Sequence, residues 1–177
     1  HNHEAVGGQQ GVDIGYVINN VAPTINASLI SLNNGNDLSV INPAATTSGF
    51  TIDYEVTDAN SCRQIDGSSP EIVDYQVSVY HTGQAGTTTC VSAGDYNPNF
   101  CYPSAAVPAD WDLNCQATTT VSTCGGTNDD TETWSCTFSL WYVADPTDGG
   151  GALALSPFAA NDWRAAVAAI DNDGATT

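Results

Sequence analysis

The histidines are the residues with the widest chemical scope. A free amine followed by a histidine at the third position, here His1-Asn2-His3, is an arrangement that chelates copper or nickel in a square plane. His81 is the one histidine beyond that tail. Oxygen donors form the second grouping. Calcium takes several hard oxygen ligands, and turns rich in Asp and Asn supply them. Asp58 and Asn60 follow one apolar-alternating segment, Asp145 and Asp148 another, and Asp171, Asn172 and Asp173 the last. Strand-connecting loops that gather at one end of a two-sheet body would bring some of these together as a calcium site. The spacing is not that of an EF-hand, and Asx residues also serve turn geometry. Calcium is the better metal candidate of the two, and no cofactor is required by the sequence.

Nucleophilic catalysis has little to stand on. His81 has no motif around it, and carboxylates are so abundant that any chosen pair would be arbitrary. The cysteines, Cys62, Cys90, Cys101, Cys115, Cys124 and Cys136, are even in number and contain no C-x-x-C pair. That argues against structural zinc and for disulfides in an oxidising compartment. Six cysteines allow 15 pairings, and the sequence does not choose among them. The aromatics Tyr96, Phe100, Tyr102 and Trp111 lie among them. They read either as a sugar-binding platform or as a satellite core beneath the bridges, the second being the plainer reading. Asn26-Ala27-Ser28 is a glycosylation sequon, with an unmodified surface Asn as the alternative.

Charge narrows the partners. Twenty Asp and Glu stand against two basic residues, Arg63 and Arg164, for a formal charge of −18 on 177 residues. Phosphate backbones are held by Lys and Arg, so nucleic acid is excluded as a partner. Anionic lipid surfaces would repel the chain, and no apolar run is long enough to insert in a membrane. The sequence begins at His1 and contains no Met, which reads as a processed or excised piece.

The elements that must position these groups are strands. Val12, Ile14, Tyr16 and Ile18 alternate with Asp13, Gly15 and Val17, giving a strand with one apolar face. Ile25, Ala27 and Leu29 alternate next, and Asn33-Asn34-Gly35-Asn36 is a turn. Leu38 and Val40 predict a short strand. Phe50, Ile52, Tyr54 and Val56 give the clearest half-buried strand, and Val73, Tyr75, Val77 and Val79 another. Residues 81–132 lose this regularity and read as a cysteine-rich excursion stapled by bridges. Strand pattern returns at Phe138, Leu140 and Tyr142 and again at Trp163, Ala165 and Val167. The Ala-rich run 165–169 lacks a helical apolar stripe and is read as strand despite its helix propensity. The fold class is therefore all-β, an antiparallel sandwich. Residues 1–20 form an arm and 21–177 a single domain.

Two stretches carry a family resemblance. The run N-N-V-A-P-T-I at 19–25 resembles the opening of immunoglobulin-like repeats in bacterial and archaeal surface proteins. The run W-R-A-A-V-A-A-I-D-N-D-G-A at 163–175 is similar to the closing strand of polycystic-kidney-disease-type (PKD) modules. The resemblance implies an immunoglobulin-like β-sandwich serving as a spacer or adhesive unit, with no catalytic residues to carry over. The cysteine-rich excursion departs from that pattern. An N-terminal histidine is also similar to that of copper monooxygenases, which are β-sandwiches. They need a further body histidine, for which His81 is the candidate, and nothing else in the chain resembles them.

The sequence thus predicts a non-enzymatic, extracellular or cell-surface structural protein. Its favoured role is a subunit of a pilus-like filament or surface layer. Copies of the chain would assemble by donor-strand complementation, with Val12, Ile14, Tyr16 and Ile18 as the inserted face. The same strand could equally belong to its own sandwich. A secreted adhesin or carbohydrate-binding module that takes surface glycans is the alternative.

Overall fold

A computed structural model describes residues 21–59, 72–106, 111–118, 130–147 and 160–177. Strand is the dominant element. One antiparallel sheet runs in the order β1 (Thr24–Ile25), β3 (Thr46–Thr57), β7 (Thr131–Trp141), β6 (Leu113–Ala117), with β2 (Ser31–Leu32) also on β3. The second runs β5 (Cys101–Pro103), β4 (Ile72–His81), β8 (Trp163–Asp171). All pairings are antiparallel. The all-β reading holds, and the Ala-rich run is strand β8 as expected.

Alternation decides which faces are buried. Phe50, Ile52, Tyr54 and Val56 on β3 face inward and lie opposite Phe138, Cys136, Trp134 and Glu132 on β7. The Phe50 and Phe138 rings sit 5.6 Å apart and tilted. Val77 and Val79 of β4, Tyr102 of β5 and Ala169 of β8 meet this row from the other sheet, so both sheets enclose one core. Each fully buried side chain of this size contributes roughly 1.5–3 kcal/mol by leaving water.

The inward row on β3 depends on one irregularity. Thr47 is buried, yet the next buried residue is Phe50, because the ladder shifts register between Ser48 and Phe50. The extra residue reverses the facing of everything before it. Gly49 carries the bulge with φ +94°, a conformation L side chains rarely adopt.

Residues 81–132 are less separate from the sandwich than their composition suggests. They contribute β5 to one sheet and β6 to the other. Tyr102 and Trp111 belong to the main core rather than to a satellite cluster. Tyr102 donates its hydroxyl proton to Pro98 O at 2.5 Å and accepts from Trp141 N at 3.1 Å. Trp111 donates from Nε1 to Ser139 O at 3.0 Å. Both aromatics therefore satisfy their polar atoms while tying this stretch to β7. A smaller cluster does exist, formed by Tyr80, Cys90 and Cys101 with Phe100 against it. The bridges are Cys90–Cys101 and Cys115–Cys136. The second joins residues directly opposite on β6 and β7. Cys62 and Cys124 lie outside the described residues.

The other sequence expectations differ in detail. Alternation through Ile25, Ala27 and Leu29 is interrupted after β1. Asn26 caps a 3-10 turn over Ala27–Leu29, and Leu29 is exposed. A side chain that hydrogen-bonds the backbone two residues on competes with strand pairing. Leu38 and Val40 pack on the core without forming a strand. Strand β7 begins at Thr131, earlier than the apolar pattern shows, and Tyr142 lies just past its end, exposed.

A methyl group on Gly49 would meet no atom within 4 Å. Gly49→Ala should therefore lower stability through backbone strain alone, by about 1–2 kcal/mol. Denaturant melts of the two proteins check this, with an unchanged slope expected.

Candidate functional site

The feature with most functional scope is the outer edge of β8. Trp163, Ala165, Val167 and Ala169 point into the core, while Arg164, Ala166, Ala168 and Ile170 alternate with them. On one side β8 pairs with β4 from His81↔Trp163 to Ile72↔Asp171. On the other side the final residues fold back. Thr177 N donates to Ala169 O at 3.2 Å and Asp171 N to Ala175 O at 3.0 Å. Gly174, at φ +84°, makes that turn. These bonds fix which backbone groups face outward: those of the odd-numbered residues. The N–H and C=O groups of Ala165 and Val167 point to the same side, and among the described residues no strand pairs with them. An unpaired stretch of this kind is a template for another strand.

A trough of about 920 Å³ opens beside the start of this edge. Its apolar lining comes from Leu32, Leu38 and Val40 on one flank and Leu140, Tyr142 and Trp163 on the other. Leu32, Leu38 and Val40 are partly buried side chains with core on one side only. Asp37, Asp145, Asp162 and Arg164 also line it. Arg164 and Asp162 approach at 3.4 Å, both side chains more than half exposed. Chain entry lies toward the other end of the sheets, since β1 pairs with the Val56 and Thr57 end of β3 while the trough adjoins Leu140 and Trp163. Val12, Ile14, Tyr16 and Ile18 precede that point and lie outside the described residues.

The described acidic positions divide between the two ends of the sheets. Asp58 follows β3 and Asp171 ends β8, with Asp173 in the turn after it, so these three stand at one end of the sheets. Asp145 follows β7 at the opposite end, where its carbonyl accepts from Trp163 Nε1 at 2.9 Å. Its carboxylate takes a short hydrogen bond from Gln84 Nε2. Asp58 and Asp171 are buried. The Asp171 carboxylate accepts from Asp173 N at 3.0 Å and Ala175 N at 2.7 Å, which is turn chemistry. Asn60 and Asp148 lie outside the described residues. Among the described residues no group of three or more His, Cys, Asp or Glu side chains could hold a metal ion.

His81 is a core residue. It is buried at the end of β4, edge-on to the Trp163 ring at 5.7 Å, and its Nδ1 accepts from Gly83 N at 3.3 Å. Burial holds its pKa below the usual imidazole value, with Asp145 and Asp162 opposing. A neutral ring with Nδ1 as acceptor fits that environment. His1 and His3 lie outside the described residues.

The proposed sugar-binding aromatics are divided by the fold. Tyr102 and Trp111 are buried, and Tyr96 stands edge-on to Tyr102 at 5.6 Å. Among the described residues Tyr142 is the exposed aromatic, 51% accessible, and sequence pattern assigns it to a strand face. The sequon at Asn26 is fully displayed. Asn26 Oδ1 accepts from Ser28 N and Ser28 Oγ at 3.1 and 2.7 Å, leaving the amide nitrogen as the outward group.

The β8 edge and its trough were not found as a site from sequence. The available signals were the small side chains of 165–169, which expose backbone, and the isolated positive charge of Arg164.

No family model matches this chain, and neither does any curated protein or solved structure. Among the described residues no helix is long and apolar enough to cross a membrane. The disulfides fit a non-cytoplasmic, oxidising compartment.

The His81 environment predicts a pH dependence. A folded pKa below the unfolded value means that the unfolded chain binds the proton first as pH falls. Stability from this group is present above about pH 6.5 and is lost as pH falls toward the lower folded value. In thermal melts across pH 8 to 5, His81→Gln should start lower at pH 8, by about 1 kcal/mol for the lost contacts. It should then lose less stability than wild type over the acid half of the range.

Proposed function

We propose that this chain is a structural subunit of an extracellular filament or surface layer. Copies join head to tail as the N-terminal strand of one, through Val12, Ile14, Tyr16 and Ile18, adds to β8 of the next. The observation that carries this reading is the backbone of β8 around Ala165 and Val167, which has no strand on its outer side among the described residues. Main-chain hydrogen bonds along that edge would supply affinity, and alternate side chains of the added strand would set register.

Length and polarity support it. Residues 12–18 in extended form span roughly 20 Å. That covers the uncovered part of β8 from Trp163 to Val167 and overhangs into the neighbouring trough. The apolar face of the strand matches the apolar flanks of the trough. A contact between two different surfaces does not close on itself, so it propagates. The resemblance to surface-protein modules and the oxidising compartment point the same way. Neighbouring copies would repel through their net charge, which ions screen over about 8 Å at physiological salt. Only Asp13 is charged within the inserted strand.

Glycan binding is the second reading, and Tyr142 is its support. That ring is exposed on the trough wall, where Asn36 and Asp37 supply polar groups. Glycan-array binding lost in Tyr142→Ala would favour it.

Two substitutions test the assembly reading by light scattering and thermal melting. Ile14→Asp should abolish polymer while leaving the melting temperature of the body unchanged. A fall of several degrees in the monomer would instead place the strand in its own sandwich. Ala165→Pro removes an outward N–H that has no role in the β4 pairing, a place where an edge strand tolerates proline. It should block polymer growth at a cost to monomer stability of about 1 kcal/mol or less.

A further inference from the structure

The sequon at Asn26 is a chemically specific motif that assembly does not use. We infer that Asn26 carries an N-linked glycan, attached at a break in the outer edge of the first sheet. The inference is independent of assembly and holds for a monomer or a polymer. Of the asparagines in the chain, Asn26 is the one followed by the x-Ser/Thr spacing of a glycan acceptor. The Cys90–Cys101 and Cys115–Cys136 bridges fit an oxidising compartment, the setting in which such acceptors are modified. In the transfer, Asn26 Nδ2 bonds to the anomeric carbon of an oligosaccharide carried on a lipid phosphate. The bond from that carbon to the phosphate oxygen breaks, and the lipid phosphate leaves with the electron pair. Nδ2 gives up one proton to a base of the transferase, and nothing is oxidised or reduced.

The fold presents the acceptor atom. Asn26, Ala27, Ser28 and Leu29 are all exposed. Asn26 keeps extended backbone, φ −79° and ψ 103°, and caps the 3-10 turn that follows. Its Oδ1 accepts from Ser28 N at 3.1 Å and from Ser28 Oγ at 2.7 Å. The carboxamide is thus held by its oxygen, and among the described residues Nδ2 donates to no other group. The asparagines of the next turn are used the opposite way. Asn33 Nδ2 donates to Asn36 O at 3.2 Å and Asp37 O at 2.9 Å, and Asn36 Nδ2 donates to Asn33 O at 3.1 Å. Their amide nitrogens are committed to turn geometry.

The position on the sheet gives the sugar a structural role. β1 pairs with Val56 and Thr57 of β3, and β2 pairs with Ile52 and Asp53. The Asn26 turn stands between these two short strands, alongside Tyr54 and Glu55, which neither strand reaches. A hydrated glycan over this break cannot join a ladder, so it blunts the edge against unintended strand pairing.

The test is glycopeptide mass spectrometry on the protein isolated from the cells that produce it. The expected result is a ladder of sugar-residue masses on Asn26, with Asn34 and Asn36 bare although they too are exposed. In the same cells Ser28→Ala should lose the whole sugar mass and Ser28→Thr should keep it, although both leave Asn26 itself in place. Circular dichroism melts establish that each variant is folded. Loss in the first variant with retention in the second ties the sugar to the hydroxyl at the third position. A bare Asn26 in the native protein overturns the inference. So does sugar carried on Thr24 or Ser28 in its place, or sugar on Asn26 that survives Ser28→Ala.

Discussion

The antiparallel ladder between β3 and β7 sets the position of every other element. It is the longest pairing among the described residues, running from Thr46↔Trp141 to Thr57↔Thr131. Its inward side chains form the floor on which the β5-β4-β8 sheet rests. Loss of that apolar row would leave β8 with no surface to bury Trp163, Val167 and Ala169 against. The Gly49 bulge keeps the row in phase over its long part, and Tyr102 with Trp111 fastens the cysteine-bearing stretch to the upper end of β7. Among the described residues no strand lies beyond β8.

Legibility in the sequence tracked how local the cause was. Period-two alternation on β3 was plain because tertiary packing and local pattern agree there. The same holds for β8, where the choice of strand over helix could be made from Trp163, Ala165 and Val167. The pattern misled at Ile25 to Leu29, where Asn26 engages Ser28 and starts a turn. It missed β6 because Leu113–Ala117 is half exposed and held by its pairing to β7 and the Cys115–Cys136 bridge. Neither cause has a signature in residue order. Tyr102 and Trp111 lie among Gly, Thr, Asn and Pro, so composition suggested a separate cluster. Their burial in the main core comes from a long-range packing that composition does not encode.

The candidate site was hidden for a related reason. A strand edge is made of backbone, and backbone carries no residue code. Small side chains at 165–169 and one isolated arginine are its sole traces in the sequence. The groups that did stand out chemically behave differently once folded. His81 is packed beside Trp163, Asp171 organises a turn, and Asp145 sits at the other end of the sheets from Asp58. Asp95 and Asp171 serve a cap and a turn, and the strong net charge bears on solubility and association.

Electron microscopy of the native, undenatured protein tests the central claim most directly. Long filaments or sheets with a regular subunit repeat, formed without any other component, are the predicted result. Dispersed monomers at high concentration, with and without calcium, would contradict assembly by this chain.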